Sequence, residues 1–322
     1  MIMIEINNLS YCYKTFQRSD EKFGVIKDFF NRKYENHMVF DEINLSIPEG
    51  KIIGLLGANG AGKTTLLKIM CGLLHTDCYV QVMGYNPYKK EKDFLKNIGV
   101  LFGQKSALIW DLPPMDTLKI SQKIYDIPND VFRSRVTEYV AQMNVADKLN
   151  TPVRKLSLGE RMKFEILVAI IHDPKLLLLD EPTIGLDLKA QLEVHEMIKK
   201  FKARNKTVII TSHYIKDIEN TCDDVIVLSD KKILLHEEIE HIELEDSVTI
   251  SINHKQSREF EKNLSVDFEY SEGTYIITIA KKDESHILNK LLQHVNFEDI
   301  QIERNTLESL LINLYEKGYV NG

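Results

Sequence analysis

The sequence predicts an α/β protein built on a parallel β-sheet, followed by a smaller α+β domain. The chain has 322 residues, enough for about two domains of roughly 150 residues each. Short apolar, β-rich runs alternate with helical segments between residues 51 and 228. Strands that alternate with helices imply a parallel sheet covered on both faces. After an acidic stretch at residues 236–246 the order of elements changes, which indicates a domain boundary.

The N-terminal part of the chain predicts two strands separated by an insertion. Apolar residues alternate with polar ones at residues 2–6 and again at residues 43–47, as in half-buried strands. The insertion between them, residues 14–38, is rich in charged and aromatic residues. Its apolar residues fall on one helical face: Ile26, Phe29, Phe30 and, as a further candidate, Tyr34. This insertion is either an interfacial or partner-binding helix or a surface excursion that packs on its own domain.

The strands of the parallel sheet are predicted at short, continuous apolar runs, which are typical of strands buried on both faces. These runs are residues 51–56, 98–102, 175–179, 207–211 and 225–228. A helix is predicted at residues 63–71, directly after a glycine-rich turn. Residues 115–172 show a mostly helical pattern without a convincing strand.

The sequence predicts two domains, residues 1–240 and a separate small domain at residues 246–322. Its elements alternate in the order βαββαβ with a closing helix, which is the ferredoxin-like order. The predicted strands are residues 248–252, 267–271, 274–280 and 298–302. The predicted helices are residues 256–263, 284–294 and 306–316.

Composition and charge exclude several functional classes. The chain contains 41 Lys+Arg and 48 Asp+Glu, with a net charge of −7, which argues against a general nucleic-acid binder. Four scattered cysteines support neither a disulfide framework nor a zinc site. The longest apolar runs, such as residues 166–171, are far shorter than the roughly 20 residues of a membrane-spanning helix. The N-terminus lacks a basic region and a cleavage site, so a secretory signal is not expected.

A phosphate-binding loop is the most specific motif of the sequence. Residues 57–64, GANGAGKT, fit G-x-x-x-x-G-K-[ST] and join a buried strand to a helix. Glycines let successive backbone N–H groups form an anion-binding nest at a helix N-terminus. Lys63 is expected to reach the β- and γ-phosphates and Thr64 to ligate Mg²⁺. The nucleotide contacts predicted here are Gly57, Asn59, Gly60, Ala61, Gly62, Lys63, Thr64 and Thr65. The alternative is a glycine-rich turn with a surface lysine.

An acidic pair completes the predicted phosphate site. Asp180 and Glu181 follow the apolar run Leu176–Leu179, and ligands bind at the C-terminal ends of strands in open α/β sheets. Asp180 is expected to bind Mg²⁺, and Glu181 to orient and deprotonate the attacking water. The alternative is a pair that caps a loop before Pro182.

With both motifs placed, residues 1–235 resemble the nucleotide-binding subunits of ABC transporters. The segment Leu156–Glu160, LSLGE, is similar to the ABC signature. Four further residues match in the family's order: Tyr13 to the aromatic that stacks on adenine, Gln104 to the Q-loop, Asp187 to the D-loop and His213 to the switch histidine.

The resemblance implies a P-loop NTPase fold of the ABC ATPase type, with a helical subdomain at about residues 105–172. In this family two subunits sandwich two ATP molecules, so Ser157 and Gly159 would bind the γ-phosphate held by the other subunit. Gln104 would contact Mg²⁺ or the attacking water, and His213 would hold the γ-phosphate and the catalytic water by a hydrogen bond. When each residue is taken alone, three alternatives stay open: Tyr13 is a strand aromatic, Gln104 is a solvated loop residue, and His213 is a polar residue at the end of a strand.

The signature departs from the commonest family pattern at two positions. Leu158 replaces a glycine and adds bulk beside the phosphate, and Glu160 replaces a glutamine and adds negative charge. These departures predict a weaker dimer or slower turnover.

A narrower resemblance links the chain to a bacterial branch of ABC-2-type exporter ATPases. It is carried by the insertion before Val39, by residues 102–106 and 110–113, and by residues 183–187. It implies that Trp110, with Leu108, lines the socket for the membrane subunit. The alternative is a core tryptophan of the helical subdomain.

The predicted function is therefore that of an ATPase that acts as a homodimer and powers a separate permease chain. It would be bound peripherally at the cytoplasmic face of the membrane, and the transporter is expected to be an exporter. ATP and Mg²⁺ are the implied cofactors, and no nucleic-acid partner is expected. The alternative is a soluble ABC ATPase that acts on ribosomes or DNA. Such proteins usually carry two ATPase domains or long coiled coils, and this chain has one Walker pair and no sustained heptads. Residues 246–322 are either an accessory domain that assists dimer contact or a regulatory ligand-binding module.

Overall fold

The computed structural model describes residues 1–16, 34–103, 106–242, 247–254, 261, 266–271, 273–293 and 299–304. The chain divides into two compact units, Met1–His241 and Ile242–Gly322. In the described parts of both units, no helix combines the length and apolar character needed to cross a membrane.

Two sheets form the framework of the first unit. Its described strands are β1 (Ile2–Phe16), β2 (Tyr34–Pro48), β3 (Ile52–Gly57), β4 (Tyr79–Val82), β5 (Ile98–Phe102), β6 (Leu176–Asp180), β7 (Thr207–Thr211), β8 (Asp224–Ser229) and β9 (Lys232–Glu238). The larger sheet has the order β5-β6-β7-β3-β8-β9. Its first five strands are parallel, and β9 pairs antiparallel with β8. The α/β parallel sheet predicted from the five apolar runs is thus confirmed.

The smaller sheet is antiparallel, with the order β2-β1-β4. Strands β1 and β2 pair as far as Phe16 and Tyr34, so the described ends of the predicted insertion are strand. The placement of Tyr34 on a helical face was wrong, because it belongs to β2. Register shifts between Ile6 and Cys12 disturb the alternation of apolar residues and hide the length of β1 from pattern analysis. Residues 17–33, with the rest of the proposed helical face, lie outside the described residues.

The helices of the first unit cover the larger sheet and form a helical layer beside it. They are α1 (Lys63–Met70), α2 (Lys92–Lys96), α3 (Pro114–Ile124), α4 (Asn129–Gln142), α5 (Leu158–Ile170), α6 (Leu188–Lys202) and α7 (Ile215–Thr221). Short 3₁₀ turns occur at Pro87–Lys89, Ala146–Lys148, Val153–Lys155 and Ile239–His241. Helix α5 packs closely on β5: a Cβ atom at Gly99 would lie 2.3 Å from the carbonyl oxygen of Ala169. Glycine therefore fixes how near α5 approaches the sheet.

The apolar core lies on both faces of the larger sheet. Leu177 and Leu179 of β6 pack in one cluster with residues of α3 to α6. Leu176 and Leu178 pack in a second cluster with α1 and the smaller sheet. Strand β6 is thus buried on both faces, which explains its continuous run of leucines.

The acidic stretch predicted to mark a domain boundary, residues 236–246, contains the division between the two units, but it begins within a strand. Residues 236–238, assigned to an acidic boundary segment, form the end of β9. This strand is half-exposed at the edge of the sheet, where charged side chains are tolerated and the apolar pattern is weak.

The second unit has a four-stranded antiparallel sheet among its described residues. Its elements are β10 (Ser247–Asn253), β11 (Glu269–Ser271), β12 (Thr274–Ala280), a 3₁₀ turn (Lys281–Asp283), α8 (Glu284–Leu291) and β13 (Ile300–Arg304). The order β11-β12-β10-β13 is the second, third, first and fourth strand, as in a ferredoxin-like sheet. The predicted closing helix at 306–316 lies outside the described residues, as do residues 256–260 and 262–263 of the helix predicted before β11.

Candidate functional site

The loop between β3 and α1 has backbone angles that require glycine. Gly60 and Gly62 have φ angles of 88° and 102°, in the region that disfavours residues with a side chain. At Gly62 a Cβ atom would also lie 2.7 Å from the Phe40 ring. The loop therefore turns tightly into the N-terminus of α1, which begins at Lys63.

Lys63 lies under this loop and is only 6% exposed. Its Nζ donates to the carbonyl oxygen of Gly57 at 2.6 Å and to that of Ala58 at 3.2 Å. Burial lowers the pKa of the Lys63 ammonium, and the carboxylates of Glu181 and Asp180 raise it to a smaller extent. A cation is therefore held at the base of the loop, with two carboxylates near enough to act on it.

Asp180 is the centre of a hydrogen-bonded network at the ends of β6 and β7. It accepts from Thr64 Oγ1 at 2.8 Å through Oδ2 and from Thr211 Oγ1 at 2.8 Å through Oδ1. Hydroxyl and carboxylate oxygens are the ligands that Mg²⁺ prefers, often with substrate phosphates completing its shell. The donor set of Thr64 and Asp180 therefore fits a magnesium ion shared with a bound phosphate.

Thr211 was missed by the sequence analysis. It pairs with Asp180 in the parallel register of β6 and β7, and its Oγ1 accepts from the backbone N–H of Glu181 at 2.9 Å. Thr211 thus connects the two acidic residues. Its position as the last residue of an apolar run, two residues before His213, is the signal that could have indicated it.

Glu181 and His213 lie beside each other at the mouth of this network. Glu181 has a φ angle of 51°, an uncommon backbone conformation for a residue with a side chain. The Nδ1 atom of His213 is 3.5 Å from Oε1 of Glu181. Both side chains are partly exposed, so they can reach a substrate.

A cavity of about 620 Å³ opens above the loop. Nine of the predicted site residues line it: Tyr13, Asn59, Gly60, Gly62, Lys63, Thr64, Thr65, Asp180 and Glu181. Four lining residues were not predicted: His37, Val39, Gly103 and Ile184. His37 and Val39 lie on β2, and Gly103 and Ile184 lie in the loops after β5 and β6. The strand pairing that brings these residues to the cavity cannot be read from local spacing in the sequence.

Tyr13 lies at the edge of this cavity. Its hydroxyl is 3.2 Å from Thr65 Oγ1, and its ring meets Tyr11 edge-on at 5.2 Å between ring centroids. The predicted contact Gly57 supplies a carbonyl to Lys63, and Ala61 lies in the loop with its N–H bonded to Ala58 O. Gln104, predicted to contact Mg²⁺ or the attacking water, lies outside the described residues.

The signature residues form a separate surface at the start of α5. Ser157 caps this helix: its Oγ accepts from Glu160 N at 3.2 Å, and Glu160 Oε2 accepts from Ser157 N at 2.8 Å. This reciprocal pair is a capping box. Ser157 is exposed and Leu158 is 42% exposed. The charge that Glu160 adds to the signature is thus directed back at the helix N-terminus.

The N-terminus of α6 adjoins the signature. Asp187 caps α6 by accepting from Ala190 N at 2.8 Å, and a Cβ atom at Gly159 would lie 3.1 Å from the Cβ of Ala190. Ser157, Gly159 and Asp187 are not among the residues that line the cavity above Lys63. The structure therefore brings the predicted site residues together in two groups.

Trp110 and Leu108 differ in exposure. Trp110 is 56% exposed, so the alternative of a core tryptophan is wrong. Leu108 is 6% exposed and belongs to the apolar core, so the expectation that it lines a docking socket is also wrong.

Comparison with known proteins gives consistent matches. A family model described as "ABC transporter" matches residues 40–184. The ABC transporter ATP-binding protein NatA of Bacillus subtilis is 31% identical over 202 residues, which cover 62% of this chain and 82% of NatA. The bacitracin transport ATP-binding protein BcrA of Bacillus licheniformis is 29% identical over 292 residues, which cover 90% of this chain and 85% of BcrA.

Solved structures match the fold over about three quarters of the chain. One is a dimeric ATP-binding cassette in a post-hydrolysis state, bound to ADP and Pi. It has a TM-score of 0.62 at 22% sequence identity, over 74% of this chain and 99% of that chain.

Proposed function

Because this chain belongs to the ABC transporter family of ATPases, we propose that it is the subunit that binds and hydrolyses ATP to power a separate membrane permease. The observation that carries the proposal is the network in which Asp180 joins Thr64, at the start of α1, to Thr211. It unites the phosphate loop, the acidic pair and the strand that leads to His213 within one unit.

The phosphate loop would bind the terminal phosphates of ATP. Lys63, at the base of the loop, would exchange its carbonyl partners for oxygens of the β- and γ-phosphates. The N-terminus of α1 adds partial positive charge to the same place. The ring of Tyr13, at the rim of the cavity, would stack on the adenine.

Mg²⁺ would be held by Thr64 and Asp180, with Gln104 as the further predicted ligand, and would neutralise charge that develops on the phosphates. Thr211 keeps Asp180 oriented toward Thr64 by occupying the other carboxylate oxygen.

Glu181 would take the proton of the attacking water. Its backbone is fixed by Thr211, so that the carboxylate lies beside His213. His213 would donate a hydrogen bond to the γ-phosphate or to the water, and this bond would be strengthened by the phosphate charge.

The exposed signature supports a homodimer in which each site is completed by the other subunit. In the capping box the oxygen of Ser157 accepts a hydrogen bond, which leaves its hydroxyl proton available as a donor. Ser157 and the N–H of Gly159 would bind the γ-phosphate of the facing subunit, with Asp187 beside them.

A permease on the membrane would supply the transport path, and this chain would bind it peripherally at the cytoplasmic face. Two features support this arrangement: the exposed Trp110 in the segment after Gln104, and the names of the relatives, which include transport ATP-binding proteins. Export is the direction implied by the resemblance to ABC-2-type exporter ATPases. We assign ATP hydrolysis to residues 1–240 and an accessory role in dimer contact to residues 246–322.

The substitution Glu181→Gln tests the proposal. We expect it to bind ATP like the unmodified protein and to lose turnover by about 10²–10⁴-fold, the contribution of a general base. The variant should accumulate as an ATP-stabilised dimer, measured by phosphate release and by size-exclusion chromatography with ATP and Mg²⁺. Glu196→Gln, an exposed change on α6, is the matched control and should leave turnover unchanged. Unimpaired hydrolysis by Glu181→Gln would remove Glu181 from the role of base.

A further inference from the structure

Asp217, on helix α7, contacts the two loops that carry Glu181 and His213. Its Oδ2 accepts from Thr183 Oγ1 at 2.7 Å and lies 3.3 Å from Ser212 Oγ. Thr183 is two residues after Glu181, and Ser212 immediately precedes His213. One carboxylate oxygen thus joins the segment of Glu181, the proposed base, to the segment of His213.

The burial of this contact makes its geometry specific. Thr183 and Ser212 are 3% and 2% exposed, and the Asp217 side chain is 12% exposed. Burying a carboxylate is costly unless hydrogen bonds satisfy it. Within the described residues, no Lys or Arg nitrogen lies within 4 Å of Asp217. The stabilisation comes from the hydroxyl of Thr183 and from that of Ser212, whose proton is shared between Asp217 Oδ2 and Tyr214 O, each 3.3 Å away.

A histidine on α6 completes the surroundings of Asp217. His195 Nε2 is 3.6 Å from Asp217 Oδ1. Burial lowers the pKa of His195, and the Asp217 carboxylate raises it to a smaller extent. The distance from His195 to Asp217 is longer than the distances from Thr183 and Ser212, so these two hydroxyls are the groups within hydrogen-bond distance of the Asp217 carboxylate among the described residues.

The rest of the connection between the two loops is made at the strand ends. Asp180 pairs with Thr211 in the sheet, and Glu181 N donates to Thr211 Oγ1. Beyond the strand ends, two sets of contacts join the loops in the described structure. One is the approach of His213 Nδ1 to Glu181 Oε1 at 3.5 Å, between partly exposed side chains, and the other is the buried contact of Asp217 with Thr183 and Ser212.

We propose that Asp217 is a positioning residue for ATP hydrolysis, which holds the loop of Glu181 and the loop of His213 at a fixed separation through Thr183 and Ser212. This inference rests on the proposed function. Asp217 does not line the cavity, so it acts through the residues it bonds. A displacement of about 1 Å in a reacting group can cost on the order of 10²-fold in rate.

Asp217→Asn in the full-length chain is the first test, because it keeps the shape and replaces an acceptor oxygen with an amide donor. We expect kcat for ATP to fall by about 10–10²-fold, with the Kd for ATP changed less than about twofold, since the phosphate loop is untouched. Glu219→Gln, an exposed carboxylate on the same helix, is the control and should hydrolyse ATP normally. Thermal unfolding measured in parallel reports whether both variants are folded.

Thr183 provides a second, independent pair of variants. Thr183→Val removes the hydroxyl with little change in shape and should lower kcat like Asp217→Asn. Thr183→Ser keeps the hydroxyl and should restore most of the rate. Because both changes break one contact, the double variant Asp217→Asn/Thr183→Val should be no slower than the slower single variant.

The same assays separate this inference from the proposed function. Hydrolysis by the unmodified protein and its loss in Glu181→Gln report on the proposed function alone. The positioning role is overturned if Asp217→Asn keeps kcat within about twofold, if Thr183→Ser is as slow as Thr183→Val, or if the losses in the double variant multiply. It is also overturned if ATP binding falls in step with turnover.

Discussion

The phosphate half of the site and the signature half differ in how their polar groups are satisfied. We define the phosphate half as Lys63, Thr64, Asp180 and Glu181, and the signature half as Ser157, Leu158 and Gly159. In the phosphate half, Lys63 and Asp180 are buried and bonded to groups from several elements of one subunit. In the signature half, Ser157 is exposed, and its side chain and backbone N–H bond to Glu160, three residues away.

In the proposed homodimer, this difference separates the half of the site that each subunit completes by itself from the half that it offers to the other subunit. A buried charge is costly unless other groups of the folded chain bond to it. In the phosphate half, β3, β6, β7 and α1 supply those groups, so this half is preorganised within one subunit. The signature half needs only its own helix N-terminus, and it leaves a hydroxyl and a large apolar side chain facing outward. A surface of this kind is suited to contact with a second copy of the chain.

Among the changes that test this comparison of the two halves, Lys63→Met is expected to have the largest effect on ATP hydrolysis. It removes the buried cation and keeps the length of the side chain. ATP hydrolysis should fall by about 10²–10³-fold, the cost of removing one preorganised donor. ATP binding by the single subunit should weaken as well, measured by titration with a fluorescent ATP analogue. Lys68→Met, on the same helix and partly exposed, should change neither quantity. ATP binding that survives Lys63→Met unchanged would mean that the phosphate half is not where the nucleotide binds.

Changes at Glu160 should have the smallest effects. Glu160→Gln retains the side-chain oxygen that accepts from Ser157 N, so kcat should stay within about twofold and stability should be nearly unchanged. Glu160→Ala removes one bond of the capping box and should destabilise the first unit by about 1 kcal/mol.

Thermal unfolding and phosphate release distinguish the two Glu160 variants. A large gain in turnover for Glu160→Gln would contradict this prediction. It would mean that the Glu160 charge slows turnover by acting on the bound phosphate, as the sequence alone predicts.

The sequence predicted the parts of the site that lie close together along the chain. The loop from Gly57 to Thr64 and the pair Asp180–Glu181 have fixed spacing and sit at strand ends, so local pattern was enough. Thr211 and Asp217 were missed because they meet Asp180 and Thr183 across 31 and 34 residues. Such contacts depend on strand order and on helix packing, which short motifs do not encode.

The errors in the fold have similar physical causes. Strands β4 and β9 were not predicted, because each is partly exposed and has few consecutive apolar residues, YV in β4 and ILL in β9. The extension of β1 was obscured by register shifts. The burial of Leu108, two residues before the exposed Trp110, depends on how the segment before α3 packs, which residue type alone does not determine.

The most direct test of the central claim, that each site combines halves from two subunits, is hydrolysis by mixed dimers of Lys63→Met and Ser157→Arg chains. Each variant alone should be inactive. In an equimolar mixture about half of the dimers carry both chains, and each of these has one intact site, so about a quarter of the wild-type sites are restored.

The matched control is a mixture of Lys63→Met with the double variant Lys63→Met/Ser157→Arg, which contains no intact site and should stay inactive. We predict that phosphate release by the first mixture clearly exceeds that of either parent and that of the control. A mixture no more active than its parents would contradict the claim and place both halves within one subunit.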